Sequence, residues 1–103
     1  MDALLNCAQA AQTEAGGPPN GHTMVEATFD SGRLIRGRGD QWLELGENGT
    51  EFNFREYDAT EERVYLHDES RDVRLMIDLN SWTILYSGPG EDFRPLYQIS
   101  AVE

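Results

Sequence analysis

From Thr23 to the end of the chain, apolar and polar residues alternate one by one. A period of two sends successive side chains to opposite faces, so such a segment can bury one face only as a strand. "MVEATFD", "RLIRG", "QWLELG", "EFNFREY", "RVYLHD", "DVRLMIDL", "SWTILYS" and "PLYQISAV" follow one another, with "ENGT", "DATE", "DESR", "NS" and "GPGEDF" among their connections. Short strands at this spacing predict an all-β domain. The expected fold is a single small antiparallel meander, a closed or partly closed barrel of about seven or eight strands.

Residues 1–22 differ in composition. "MDALLNCAQAAQ" is rich in helix formers, and "TEAGGPPNGH" breaks any regular structure. A flexible or short helical leader over 1–22 is therefore expected ahead of a β domain over 23–103. The whole chain, 103 residues, has the length of one domain. No apolar run approaches the ~18 residues of a membrane helix, and Asp2 stands where a signal peptide would carry a base. The default expectation is a cytoplasmic protein with no membrane partner. A lone cysteine, Cys7, excludes an internal disulfide and a multi-thiolate metal site.

Charge bounds the partners. Nineteen acids face eight bases for a net charge of −11, and every base is arginine. Such a chain repels phosphate backbones, which excludes direct nucleic-acid binding by the usual electrostatic route. It attracts basic proteins instead. The acidity and the lack of lysine are equally what a biased host proteome would produce.

Turn residues set provisional registers. Asn48-Gly49 as a two-residue type I′ turn places Leu45 opposite Phe52 and Leu43 opposite Phe54, with Trp42 and Arg55 on the other face. Asn80-Ser81 sets Leu79 against Trp82, Ile77 against Ile84 and Leu75 against Tyr86. In "HDESRD" His67 faces Asp72, Leu66 faces Val73 and Val64 faces Leu75. An even loop through "DATE" would turn Phe52 and Phe54 away from Val64 and Leu66, so a bulge or odd loop is required near Tyr57–Glu61. The expected core is Leu43, Leu45, Phe52, Phe54, Val64, Leu66, Val73, Leu75, Ile77, Leu79, Trp82, Ile84 and Tyr86.

The opposite face is richer than solvation demands. Its candidates for binding a partner are Trp42, Arg55, Arg63, Tyr65, His67 and Arg74, residue types that dominate binding hot spots. The plainer reading is that the chain's own N-terminal segment covers them. His67 with Asp68, Glu69 and Asp72 has the ligand types for Zn or Mn, but no second histidine lies near. A cross-strand His67–Asp72 pair beside a solvated turn is the simpler account, and no metal or cofactor is expected. Cys7 has no positioned base, no serine sits in a nucleophile-elbow motif, and "RGRG" reads as a loop.

No catalytic residue is therefore expected, and the function expected is non-enzymatic. The chain is read as a module engaging another protein, with a basic one favoured by charge, through the aromatic and arginine face or through exposed strand edges. Those edges would also allow a homo-oligomer. One alternative is an acidic inhibitor that occupies a partner's basic, nucleic-acid-binding surface. The other is a calycin-like barrel binding a small apolar ligand or a glycan in a pocket lined by Phe54, Trp82 and Tyr86.

Overall fold

The computed structural model describes residues 18–103. Eight strands follow in chain order: β1 (Glu26–Phe29), β2 (Gly32–Arg36), β3 (Gln41–Gly46), β4 (Glu51–Ala59), β5 (Arg63–Asp68), β6 (Val73–Asp78), β7 (Thr83–Ser87) and β8 (Arg94–Val102). Each pairs antiparallel with the next, and β8 returns to β1 through Ala27–Val102, Thr28–Ala101 and Phe29–Ile99. The result is a closed up-and-down barrel. The described residues contain no helix long and apolar enough to cross a membrane. Of the leader expected over residues 1–22, residues 1–17 lie outside the described residues, and residues 18–22 carry bend and turn structure with no helix.

Eight strands enclose a space that side chains can just fill. Here Leu34, Trp42, Val64, Leu66, Leu75, Ile77 and Ile84 fill it, all essentially inaccessible. Each such side chain contributes about 1.5–3 kcal/mol by leaving water. Arg55, Arg63, His67 and Arg74 stand on the outer wall, the reverse of a barrel whose exterior meets lipid. Closure gives every strand two neighbours, so the barrel among the described residues lacks the exposed edges expected above.

The expected bulge is present. The β4–β5 register shifts between Glu56 and Asp58, leaving Tyr57 as the extra residue and keeping Phe54 and Val64 on one side of the wall. The β3–β4 hairpin departs from expectation. Trp42 pairs with Phe54, Leu43 with Asn53 and Glu44 with Phe52. Gly46 and Thr50 close a three-residue loop, with Gly49 at φ 87°. An odd loop in place of an even one moves the whole of β3 by one residue, which exchanges its faces. Trp42 is consequently core, and Leu43 and Leu45 face outward, half-buried.

The β5–β6 and β6–β7 hairpins are both built on four-residue turns, Glu69–Asp72 and Leu79–Trp82. Each is preceded by a buried aspartate whose Oδ1 accepts the N–H two residues on, Asp68 from Ser70 at 3.0 Å and Asp78 from Asn80 at 2.9 Å. Each ends on a left-handed residue, Asp72 (φ 52°) and Trp82 (φ 55°). In β5–β6 the pairs are His67–Arg74, Leu66–Leu75 and Val64–Ile77. That is two residues from the expected register, an even shift that preserves both faces. The β6–β7 pairs Ile77–Ile84 and Leu75–Tyr86 are as expected. Trp82 is not core: its positive φ turns the chain before the ladder begins and leaves it 43% exposed. It therefore does not share an interior pocket with Phe54 and Tyr86.

Candidate functional site

Five of the six sequence candidates come together on the outer wall of β4, β5 and β6. Arg55, His67 and Arg74 form one cross-strand row, with Tyr65 and Arg63 further along β5. Trp42, the sixth, lies inside the barrel at 1% exposure and leaves the set. Its indole Nε1 donates to Glu56 Oε1 at 3.0 Å, while Arg36 donates to the same oxygen at 2.8 Å and stacks over the indole. A partner on the outer wall could not reach it.

Tyr57 takes its place, and sequence reasoning missed it as a site residue. As the bulged residue it is freed from the ladder and re-aimed outward, which is what bulges do to side chains. It is 51% exposed, with its ring 5.9 Å from that of Tyr65 and 6.4 Å from the His67 imidazole, edge to face with the latter. Partial burial in this cluster pushes the Tyr57 phenol up, against the pull of Arg74. The signal in the sequence was the bulge required near Tyr57–Glu61, which was read for the fold and not for the site.

The charges on this wall are paired. His67 Nε2 lies 3.1 Å from Asp72 Oδ1, and Arg74 lies 3.7 Å from the same oxygen. Arg55 donates to Asp40 at 2.9 Å, and that bond and charge hold its guanidinium ionised. Arg63 approaches Asp78 at 3.5 Å. Exposed pairs contribute little to stability and are readily exchanged for a partner's groups. Their effect here is to keep the arginine heads in place.

Beside the row lies a recess of about 420 Å³, walled by Gln41, Asn53, Arg55, His67 and Glu69. The "HDESRD" turn thus forms one wall of it. Asp68 itself is committed elsewhere: it accepts from Ser70 Oγ at 2.6 Å and from Arg71 Nε at 2.6 Å, besides the Ser70 amide. No group of three or more His, Cys, Asp or Glu among the described residues is arranged to hold a metal ion.

Burial alone would raise the Asp68 carboxyl, but the bonds from Ser70 and Arg71 outweigh it and hold the group below its usual 3.8. The unfolded chain therefore takes up this proton first as acid is added. Asp68 stabilises the fold at neutral pH and stops doing so as pH falls through its depressed value. Asp68→Ala is expected to lose about 2 kcal/mol at pH 7. In urea titrations from pH 7 to pH 2, the gap between variant and parent should close toward acid; a constant gap would contradict this role.

Comparison with protein-family models, with curated proteins and with solved structures finds no match for this chain. The functional reading below rests on the chain's own geometry.

Proposed function

We propose that the protein is a non-enzymatic binding module that engages another protein through the outer wall of β4–β6. The observation that carries this reading is the half-exposed Tyr57, lifted out of the ladder by a bulge and packed on Tyr65 and His67, with Arg55 and Arg74 alongside. Tyrosine and arginine on a rigid wall bury much area on contact while losing little conformational freedom. The filled interior also favours an outside surface over a ligand held in the barrel's centre. The overall charge of −11 favours a basic partner.

The double variant Tyr57→Ala, Tyr65→Ala tests it. Used as bait in parallel with the parent chain, it should lose the partner, with affinity falling about 30-fold or more. Its unfolding free energy should stay within about 1 kcal/mol of the parent's, since both rings lie on the surface. A variant that captures the same protein with the same affinity would remove this wall as the interface. Capture that moderate salt abolishes, and that the tyrosine variant retains, would favour the acidic-inhibitor reading instead.

A further inference from the structure

The second feature of interest lies at the opposite surface of the wall, inside the barrel at the end formed by the β1–β2, β3–β4, β5–β6 and β7–β8 turns. Exchange of the β3 faces brings Glu44 into the interior there, between Leu34 and Phe52. Its Oε2 accepts from the Tyr97 hydroxyl at 3.3 Å. The Tyr97 ring is stacked on Phe29, with centroids 4.1 Å apart and planes 11° apart, so its position is set by packing. Partial burial pushes the Glu44 carboxyl up, against the hydrogen bond from Tyr97 and the charge of Arg71. The ion pairs formed among the described residues leave Glu44 out.

Above Glu44 opens a recess of about 310 Å³, the size of the smallest ligand pockets. Glu44, Glu47, Phe52 and Tyr97 supply its walls, with the polar side chains of Ser31 and Asn48 at the rim. No basic residue lines it. Two carboxylates and two aromatic rings lining one recess suit a cation: acids supply charge and acceptors, and aromatic rings attract positive charge.

The chain already shows this preference. The Arg71 guanidinium, held by Asp68, lies 4.0 Å from the Phe52 ring centre and 5.6 Å from that of Phe54, and its charge acts on Glu44. The rim of the barrel thus hosts a guanidinium of its own beside a recess of the same chemistry.

We propose that this recess is a binding site for a small organic cation, a guanidinium or alkylammonium group, with Glu44 as its counter-charge and Phe52 and Tyr97 as its aromatic walls. It is independent of the outer wall of β4–β6 and stands or falls separately from it. Arg71 competes weakly with the ligand by sharing Phe52 and Glu44. Only ionised Glu44 binds, so affinity rises with pH through the titration of Glu44, whose range burial shifts upward.

The test is a titration of the full chain, followed by amide and side-chain NMR signals, with methylguanidinium. Methylurea, nearly the same shape without charge, and sodium chloride at matched ionic strength serve as controls. Saturable shifts confined to Glu44, Phe52, Tyr97 and their neighbours are expected with methylguanidinium alone. Glu44→Gln, whose spectrum shows whether it is folded, should weaken binding about tenfold or more, and Arg71→Met should tighten it several-fold. A blocked Gly-Arg-Gly peptide binding tighter than methylguanidinium would assign the cation to a polypeptide side chain, and weaker binding would assign it to a free small molecule. Equal shifts from methylurea, shifts that never saturate, or a folded Glu44→Gln that binds as well as the parent would overturn the site.

Discussion

Trp42→Ala is expected to cost the protein about 4 kcal/mol, among the largest losses any single truncation here can cause. The indole is 1% exposed, pairs with Phe54 across the β3–β4 ladder and sits under the Arg36 guanidinium. Its removal leaves a large cavity. It also takes one donor from Glu56 Oε1, the oxygen on which Arg36 and the indole converge. A partly buried charge that has lost a partner adds to the cavity term. The comparison that gives the number meaning is Trp82→Ala. That residue is exposed on a turn, and its loss should change the unfolding free energy from urea titration by no more than about 0.5 kcal/mol. Equal effects from the two tryptophans would mean that β3 has the opposite face inward, with Trp42 on the surface.

That contrast also marks where sequence reasoning worked. Periodicity identified the strands because the alternation is strong, and the hairpin pairs Ile77–Ile84 and Leu75–Tyr86 came out in register. In β5–β6 the pairing was wrong by two residues and the faces were still right, since an even shift cannot exchange them. In β3 a difference of one loop residue reversed everything. Asn48-Gly49 suits a two-residue turn, but Gly49 instead ends a three-residue loop, which is an equally ordinary use of a glycine at positive φ. The even loop pairs Leu45 with Phe52 and Leu43 with Phe54, whereas the odd loop pairs Trp42 with Phe54 and Glu44 with Phe52, so local pattern alone favours the even loop. What chooses is the barrel: only with Trp42 inside does the indole find both a stacking partner in Arg36 and an acceptor in Glu56, residues from two other strands.

The site was legible to a similar degree. Arg55, Arg63, Tyr65, His67 and Arg74 were placed on one face by parity alone, and they share it. Parity puts Tyr57 on that face too, but parity does not record that a bulge frees it from the ladder, and it was not singled out as a site residue. Glu44 was hidden for the same reason as Trp42: on the assumed register it faced water. Its interior place beside Phe52 and Tyr97 is a consequence of loop length fifty residues away in sequence from one of its partners, on the order of half the chain, and no short pattern records that.

Gly21→Ala is expected to destabilise the protein by about 3 kcal/mol although the residue lies in what composition marks as a connector. The end of the barrel away from Glu44 is closed by residues 20–25. Asn20 Oδ1 accepts the amides of His22 and Thr23 at 2.8 and 3.2 Å, and Thr23 Oγ1 accepts the Asn20 amide at 2.9 Å. This reciprocal turn directs Met24 into the core, where it is fully buried. Gly21 donates to the Glu61 carbonyl at 2.7 Å and accepts from Arg36 Nη2 at 3.1 Å. A Cβ at this position would collide with the Thr60 carbonyl oxygen and come within 2.7 Å of that of Arg63. Both are backbone atoms, one in the β4–β5 connection and one at the start of β5, and cannot step aside. The alanine variant must lift the segment instead, losing the Glu61 bond, the Arg36 bond and part of the burial of Met24. Gly49→Ala is the control: a Cβ there meets open space and pays only for its positive φ, about 1 kcal/mol. If thermal and urea unfolding found Gly21→Ala no less stable than Gly49→Ala, residues 20–25 would not be the barrel's closure, and the boundary that composition suggests at residue 22 would stand. The expected order, Gly21 well above Gly49, would place the start of the cooperative unit at or before Asn20.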